Sequence, residues 1–429
     1  MSKNTINNHL YIGGVSAFDL VRTYHTPLYV MDESKIRSQC QMFKKHFVSD
    51  HIETETIYAS KAFLSLAMCE LVDSEGLSLD VVSGGELYTA HQAGFPMHKI
   101  YFHGNNKSLE ELKLAIEYQV GTIVVDHRHE LLTLINLIPK NQKINVMLRV
   151  NPGIEAHTHE YIRTTHHDSK FGLSIYDEST LDLIKEINQY DSLIFKGFHS
   201  HIGSQIFEEQ SFIEHAQTVL TYISDVYLKT GIVVEEMNLG GGFGAKYTAE
   251  DKPFELKFFL PTLLEHIGET SKKLRIKVPK VFIEPGRSIV AEAGYTLYTV
   301  GGTKKTTSGK QYVFIDGSMA DHMRTALYQA KYDAVIANKL NDEANTSYTV
   351  AGKACESGDI IIKDVKLPKP EANDILAVKT TGAYHYSMSS NYNRLTRPAV
   401  VFVKDGKSKL IVQRETYQDL IRNDLKLED

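Results

Sequence analysis

The stretch Thr56–Val82, TIYASKAFLSLAMCELVDSEGLSLDVV, predicts a short strand, a helix and a second short strand. The apolar runs Thr56–Ala59 and Leu79–Val82 have the length and residue types of buried strands. Between them, Ala62–Glu75 repeats apolar residues at the period of a helix. Because two strands joined by a helix pair in parallel through a right-handed crossover, this stretch predicts one building block of an α/β fold.

The same unit recurs along the chain. Six more short apolar runs follow, and amphipathic stretches such as Leu109–Tyr118 and Phe212–Leu228 lie between most of them. The six runs are Ile100–Phe102, Thr122–Val125, Ile144–Val150, Ile194–His199, Glu236–Leu239 and Val281–Ile283. Strand and helix units over about 230 residues fit a (β/α)8 barrel of the TIM type, whose usual size is about 250 residues. An open doubly wound sheet is the alternative, and it is disfavoured because no Gly-x-Gly-x-x-Gly motif opens the first unit.

The sequence pattern changes near Ala291, and from there it predicts a mostly antiparallel β domain. The helical period mostly disappears, and short strand-like runs alternate with turn residues. One predicted helix, Met319–Lys331, interrupts this pattern. We therefore expect N-terminal strands in residues 1–34 that join the β domain, a barrel over residues 35–290, and a C-terminal β domain over residues 291–429.

The composition excludes several classes of protein. Hydrophobic residues make up 42% and charged residues 23% of the 429 residues, which is typical of a globular protein and not of a disordered one. The formal net charge of −6 argues against nucleic acid or an anionic membrane as the main partner. The 3 cysteines are too few for a disulfide framework, no apolar run has the length of a membrane helix, and the N-terminus lacks a signal-peptide core. We expect a soluble cytoplasmic protein.

Polar or glycine-rich segments follow most of the predicted barrel strands. In a barrel of this type, the carboxyl ends of the strands form the mouth that carries the active site. The segments are Ser60-Lys61, Asp80 with Ser83–Glu86, His103–Asn106, Arg149–Pro152, His199–Ser204, Gly240–Gly244 and Glu284–Arg287. Because these segments converge on one mouth, the sequence predicts an active site there.

Two of these segments carry specific chemistry, and each has an ordinary structural alternative. The glycine run Gly240–Gly244 can let backbone amides approach an anion closely. The structural alternative is a tight turn between a strand and a helix. Its place after strand 7 is the phosphate-binding corner of many barrels, which favours a phosphate. Lys61 closes an apolar strand. Most such lysines only extend to solvent, but one in a barrel mouth can form a Schiff base.

Two groups of histidines raise the question of a metal site. His199 and His201 share one face of a strand, but a zinc site needs further His and Asp ligands, which we do not expect at the other strand ends. The second group lies in a long loop after strand 5, without the spacing of a zinc-protease helix, and predicts a solvated or lid loop. Its members are His157, His159, His166 and His167. We therefore predict no bound metal.

Eight motifs have a joint order and spacing that is specific, although no single motif is. They are Tyr58-Ala59-Ser60-Lys61-Ala62, Asp80-Val81-Val82-Ser83, His201-Ile202-Gly203-Ser204-Gln205, Gly240-Gly241-Gly242-Phe243-Gly244, Glu284-Pro285-Gly286-Arg287, Cys355-Glu356-Ser357-Gly358-Asp359, Gly382-Ala383-Tyr384 and Met388-Ser389-Ser390-Asn391-Tyr392-Asn393. With these motifs, nearly the whole chain resembles the barrel-type pyridoxal-phosphate decarboxylases that act on basic amino acids, and above all the members that act on diaminopimelate. The resemblance implies a TIM-type barrel followed by a β domain like that of alanine racemase.

The resemblance also implies which residues bind pyridoxal 5'-phosphate. Lys61 would form the Schiff base, His201 would stack on the ring, and Glu284 would pair with the pyridine nitrogen. The implied phosphate ligands are Ser204, Gly240, Gly241, Gly242 and Tyr384, and Gly286 and Arg287 complete the implied cofactor site. A carboxylate keeps the pyridine nitrogen protonated and makes the ring a strong electron sink, which suits decarboxylation. Barrel-type alanine racemases have an arginine at this place, so Glu284 argues against racemisation.

The implied reaction is decarboxylation of meso-2,6-diaminopimelate to L-lysine and CO2, the last step of lysine biosynthesis. Cys355 would supply the proton from the β domain of the second copy in a homodimer. The implied substrate ligands are Arg287, Arg324, Tyr328, Glu356 and Tyr384, with the arginines on the distal carboxylate and Glu356 on the distal ammonium. A related decarboxylase for another basic amino acid or a carboxylated polyamine precursor stays open, as do a non-catalytic paralogue and a metal-dependent hydrolase.

Overall fold

The computed structural model describes residues 5–6, 8–154 and 169–427. The chain forms two compact units. The β unit consists of Met1–Ser38, Ala245–Asp251 and Ile289–Asp429, and the barrel unit consists of Gln39–Gly244 and Lys252–Ser288. The histidine-rich loop predicted over 157–167 lies outside the described residues.

The barrel unit contains a closed ring of eight parallel strands, which confirms the predicted (β/α)8 barrel. In chain order, barrel strands 1 to 8 are Thr54–Ala59, Ser78–Val81, Ile100–Phe102, Thr122–Val125, Ile144–Asn151, Leu193–His199, Glu236–Asn238 and Lys280–Ile283. Strand 8 pairs with strand 1 through the register Val281 to Thr54, which closes the ring. Most residues of these strands are buried because helices cover the outer face and side chains fill the interior.

The helices of the barrel unit begin at polar caps that the sequence supplies. Ser65, Ser83 and Ser108 each accept a hydrogen bond from a backbone amide of the following first turn. The helices after strands 1 to 4 are Leu66–Ser74, Gly84–Gln92, Leu109–Glu117 and Arg128–Leu137, and the later ones are Glu178–Ile187, Glu209–Thr230, Leu256–Leu274 and Arg287–Val290. Because the cap at Ser65 starts the first helix late, Lys61 lies in a separate 3-10 turn, Ser60–Ala62.

Apolar side chains fill the interior of the barrel. Five buried residues from strands 1, 3, 4, 5 and 8 form one cluster, namely Ile57, Tyr101, Val124, Met147 and Phe282. The rings of Tyr101 and Phe282 lie 5.4 Å apart between centroids. With the interior packed in this way, the polar residues of the predicted site lie at or near the carboxyl ends of the strands.

The described part of the β unit contains a nine-stranded, mostly antiparallel sheet with two parallel pairings, as predicted for this domain, and a separate three-stranded antiparallel sheet near the N-terminus. Its strands are Thr5–Ile6, His9–Ile12, Val15–Ser16, Leu28–Asp32, Gly294–Lys305, Gln311–Ile315, Ala334–Ile336, Thr346–Ala351, Ile360–Leu367, Ile375–Lys379, Ala399–Lys404 and Lys407–Val412. Leu28–Asp32 pairs with Gly294–Lys305 on one side and with Ala399–Lys404 on the other. The remaining helices are Ala17–Tyr24, Glu33–His46, Arg324–Tyr328 and Tyr417–Ile421.

The predicted helix Met319–Lys331 is wrong in its extent, since the structure has a helix only at Arg324–Tyr328. The residues before it form a hydrogen-bonded turn, in which Asp321 Oδ2 accepts from the amide of Ser318 at 2.9 Å. After Tyr328, Gln329 adopts a left-handed conformation with φ 52° and ends the helix. Short polar side chains such as these compete with the hydrogen bonds of a helix. The spacing of apolar residues in the sequence does not reveal this competition.

No helix in the described ranges is both long enough and apolar enough to cross a membrane.

Candidate active site

Glu284 is the centre of a buried polar cluster at the mouth of the barrel. It follows strand 8, and its side chain meets residues from three other strands. Asn238 Nδ2 donates to Glu284 Oε1 at 2.7 Å, and His199 Nε2 lies at hydrogen-bond distance, 3.1 Å, from Oε2. Nε2 of His103 lies 2.8 Å from Oε1. The expectation that the other strand ends place no further histidine ligand near His199 is therefore wrong, since His103 lies beside it.

The ionisation of this cluster follows from burial and from the neighbouring charges. Burial raises the pKa of Glu284, but His103 and His199 outweigh it and hold that pKa well below its usual value. Burial lowers the pKa of His199 to about 3. Asp80 lies nearby, and burial raises its pKa to about 7, partly offset by His103 and Lys61. At neutral pH the cluster therefore holds an ionised Glu284 beside a neutral His199.

These three residues, His103, His199 and Glu284, also have ligand atoms within 4.8 Å of one another, a set that could hold a metal ion. His199 Nε2 and Glu284 Oε2 form a hydrogen bond at 3.1 Å, whereas His103 Nε2 contacts Oε1 at 2.8 Å, which is the distance of an ion pair, without hydrogen-bond geometry. The geometry is thus accounted for by contacts among the three side chains.

The glycine run after strand 7 connects to Glu284 through Asn238. Asn238 Oδ1 accepts from the amide of Gly240 at 2.9 Å. Gly240 has φ +65°, and a Cβ there would lie 2.8 Å from Nδ1 of His201, so only glycine fits. Within the described residues, the amides of Gly241 and Gly242 have no hydrogen-bond acceptor. Two backbone donors are therefore available to an anion.

Arg287 and Ser204 are brought together, as two of the predicted site residues. Arg287 is 5% exposed, and its Nη2 donates to Ser204 Oγ at 2.9 Å. Nε of the same guanidinium lies 3.3 Å from that oxygen. A buried cation beside a hydroxyl gives this side of the mouth a positive potential, which suits a phosphate or a carboxylate.

Lys61 is the exposed residue of a turn whose other two residues, Ser60 and Ala62, are buried and whose backbone is fixed on both sides. Ser60 Oγ donates to Glu86 Oε2 at 2.8 Å, which also accepts from the amide of Val82 at 2.8 Å. A Cβ on Gly286 would lie 2.9 Å from Cβ of Ala59, so Gly286 allows strand 8 to approach this turn. Among the described residues, no hydrogen bond or ion pair engages the Lys61 amine.

His201 follows strand 6, and its ring is half-buried. Burial lowers its pKa well below the usual value, and the positive charges of Lys61 and Arg149 lower it further. The imidazole is therefore neutral at physiological pH.

These residues fit pyridoxal phosphate. A free amine, two open backbone amides and an ionised carboxylate are what its aldehyde, phosphate and pyridine nitrogen require. In addition, Oδ1 of Asp80 is buried without a hydrogen-bond partner among the described residues. A polar atom of this kind is expected where a polar ligand completes the site.

In the β unit, Arg324 is 7% exposed and lies against two predicted site residues. Its Cζ is 5.0 Å from the ring centroid of Tyr328 and 5.2 Å from that of Tyr384. Its Nε donates to the hydroxyl of Tyr332 at 3.0 Å. The two aromatic rings hold the guanidinium in one orientation, which a bidentate carboxylate contact needs.

Cys355 is exposed, and it lies on a loop that is held by contacts between the motifs Cys355–Asp359 and Met388–Asn393. Its amide donates to Asn393 Oδ1 at 2.7 Å, and the hydroxyl of Tyr392 donates to Glu356 Oε2 at 3.3 Å. The amide of Gly358 holds the pKa of Glu356 below its usual value. The thiol and an ionised carboxylate are therefore adjacent on one surface loop.

Sequence reasoning did not assign the roles of two residues that organise these sites, Asn238 and Asp359, although Asp359 ends the quoted Cys355–Asp359 motif. Asn238 is fully buried between Glu284 and the glycine run, and an amide before a glycine is an ambiguous signal because such residues also cap ordinary turns. Asp359 is 3% exposed and accepts from the amides of Met319 and Ala354. Asp359 therefore ties the loop of Cys355 to the turn at Met319. In the sequence, the only signal for this role is an acidic residue in a segment rich in turn residues.

Comparison with known proteins agrees with this geometry. Residues 33–291 match the family described as "Pyridoxal-dependent decarboxylase, pyridoxal binding domain". The chain is 47% identical over 425 residues to the diaminopimelate decarboxylase of Bacillus subtilis, covering 99% of this chain and 97% of that one. It is 49% identical to that of Bacillus methanolicus, with 95% and 94% covered.

A solved structure gives the same result. The diaminopimelate decarboxylase of M. jannaschii in complex with L-lysine superposes with a TM-score of 0.92 at 34% identity, covering 98% of this chain and 97% of that one. The identities and the nearly complete coverage extend over both the barrel unit and the β unit. The chain therefore belongs to the diaminopimelate decarboxylases, a family of pyridoxal-phosphate-dependent carboxy-lyases.

Proposed function

We propose that this chain decarboxylates meso-2,6-diaminopimelate to L-lysine and CO2. The observation that carries the proposal is the buried Glu284 carboxylate, held ionised at the barrel mouth by Asn238 and two histidines. A fixed negative charge at this place suits a protonated pyridine nitrogen. A related decarboxylase for another basic amino acid is the second reading, and the substrate assay below distinguishes the two.

The chain's own residues divide the work of binding the cofactor. When bound, pyridoxal phosphate accepts the electron pair that CO2 leaves on Cα. Lys61 would bind its aldehyde carbon, and Glu284 would hold a proton on its pyridine nitrogen. Ser204 and the amides of Gly241 and Gly242 would donate to the phosphate. Neutral His201 would cover one face of the ring.

The direct test is an assay with purified protein and added pyridoxal phosphate. Meso-diaminopimelate, ornithine, arginine and lysine are supplied in parallel, and CO2 and the amine product are measured. Formation of lysine from diaminopimelate alone supports the proposal. Turnover of ornithine or arginine in preference to diaminopimelate would contradict it in favour of the second reading.

Cys355 is the proposed acid that protonates Cα after CO2 leaves. Cys355→Ser should lower kcat by about 100-fold, because a hydroxyl is a much weaker acid than a thiol. Cofactor binding should persist, and both are measured on the same preparation by steady-state kinetics and visible absorbance. Cys69→Ser is the matched control, since Cys69 is fully buried in a helix. An unchanged kcat in Cys355→Ser would assign the acid to another residue.

We also propose a homodimer in which each copy supplies Cys355 to the other. Mixing Lys61→Ala with the weakly active Cys355→Ser under conditions of subunit exchange should then raise the activity above the sum of the two parents. Restoration requires a mixed dimer, because neither parent carries both residues in one chain. Complete absence of restored activity after verified exchange would mean that each copy uses its own thiol.

Arg324 is the proposed ligand of the distal carboxylate, with Arg287, Tyr328, Tyr384 and Glu356 completing substrate binding. Arg324→Ala should raise KM for diaminopimelate by roughly 10- to 100-fold, since a bidentate charge-assisted contact is lost. Arg394→Ala is the surface control, because Arg394 pairs with Asp424 at 2.6 Å while 61% exposed. If kcat/KM for diaminopimelate is unchanged in Arg324→Ala, another group binds the distal carboxylate of the substrate.

A cytoplasmic location also stays a prediction, and fractionation of cells that express the tagged chain would test it.

A further inference from the structure

Both oxygens of Glu284 are contacted by histidines that reach it from different parts of the barrel. His199 ends strand 6, two strands away from the strand that precedes Glu284. His103 follows strand 3, on another part of the ring. The two imidazoles are 3% or less exposed and contact each other edge to face, with 4.5 Å between centroids. The carboxylate is therefore clamped from both sides.

The protonation state of His199 determines what this clamp does. Burial lowers the pKa of His199 to about 3, so the ring is neutral at physiological pH. Among the described residues its Nδ1 has no hydrogen-bond partner, whereas Nε2 lies 3.1 Å from Glu284 Oε2. The tautomer that fits carries its proton on Nε2 and donates it to the carboxylate.

A neutral donor and a cationic donor have different consequences for Glu284. Both stabilise the ionised carboxylate by hydrogen bonding. A cation would also cancel its negative charge, and the cofactor nitrogen would then find no net charge to hold its proton. A neutral histidine avoids this, since it fixes the carboxylate and leaves the charge in place.

We propose that His199 and His103 are positioning residues that hold the Glu284 carboxylate ionised and aimed at the pyridine nitrogen of the cofactor. The proposal deepens the proposed function and rests on it, because the clamp has this use only when pyridoxal phosphate is bound. The histidines touch Glu284 and act through it.

A third buried histidine provides a matched control. His215 is fully buried in the same barrel unit, burial also lowers its pKa to about 3, and its Nε2 lies 2.5 Å from Ser200 Oγ. Among the described residues, neither a hydrogen bond nor an ion pair joins it to Glu284. Replacing it removes a buried imidazole and a hydrogen bond without touching the clamp.

The test compares His199→Leu, His199→Gln and His215→Leu as cofactor-loaded enzymes. Pyridoxal phosphate labelled with nitrogen-15 in the ring reports by NMR whether the pyridine nitrogen is protonated, and kcat is measured in parallel. In His199→Leu we expect a reduced protonated fraction and a kcat lower by about 10- to 100-fold, as for one lost hydrogen bond to a charge. In His199→Gln the amide donates in place of the imidazole, so the protonated fraction should return to nearly the wild-type value.

His215→Leu should lower the unfolding temperature without changing the nitrogen signal. A fully protonated nitrogen and wild-type kcat in His199→Leu would overturn the proposal. If that variant does not fold, His103→Leu is read by the same two measurements with the same two outcomes. A wild-type chain that binds cofactor with a protonated nitrogen, but leaves diaminopimelate untouched, would instead contradict the proposed function alone.

Discussion

Replacing Lys61 by alanine is expected to lower decarboxylation by about 1,000-fold or more and to remove covalently bound cofactor. Lys61 lies at the end of strand 1 in a turn fixed by Ser60 and Gly286, with its amine exposed at the barrel mouth. The measurement is borohydride reduction of the loaded protein, followed by the mass of the labelled peptide and by kcat.

Two variants separate the chemistry of this amine from its charge. Lys61→Arg keeps a cation beside Asp80 and His201 but cannot bond to an aldehyde carbon, so it should be as inactive as the alanine variant. Lys99→Ala removes an amine that pairs with Asp73 at 3.6 Å on the surface, and it should retain wild-type activity. Full retention of covalent cofactor in Lys61→Ala would place the attachment on a different lysine.

The barrel could be predicted from the sequence because its strands are buried on both faces. Such strands appear as continuous β-branched and apolar runs, so the prediction Ile144–Val150 differs from the observed Ile144–Asn151 by one residue. The predicted helix Met319–Lys331 is too long because Asp321 and Ser318 form a turn, which the spacing of the apolar residues does not reveal. The predicted lid loop with His157 and His167 stays a prediction.

The candidate site was predicted in its parts but not in its contacts. The positions of His199 and Glu284 at strand ends predict that both lie at the mouth of the barrel. The two residues are 85 positions apart, however, and no local sequence signal predicts their contact. In the sequence, the spacing of His199 and His201 on one strand raises the possibility of a zinc ligand, but it carries no information about a contact with Glu284. The contact of His199 with Glu284 depends on the order and register of strands 6, 7 and 8, because strand 7 lies between the other two. Contacts of this kind require the three-dimensional register.

Glu284→Gln is the second replacement with a large expected effect, a fall in kcat of about 100- to 1,000-fold. Glutamine keeps the size of the side chain and can still accept the hydrogen bond from Asn238, but it carries no charge to hold a proton on the cofactor nitrogen. The folded fraction, measured by circular dichroism, should stay near that of the wild type. Any loss of kcat then reports the missing charge and not a missing fold.

The matched control for Glu284→Gln is Glu130→Gln. Glu130 is another buried carboxylate of the barrel unit, and it pairs with Lys107 at 2.7 Å. Removing its charge leaves the buried Lys107 ammonium with its carbonyl acceptors but without its ion-pair partner, which should cost about 3–5 kcal/mol of unfolding free energy while kcat stays within about twofold. The two variants should thus separate, one losing turnover and the other stability. A kcat near wild type in Glu284→Gln would mean that the pyridine nitrogen works unprotonated, and decarboxylation would then need a different source of electron withdrawal.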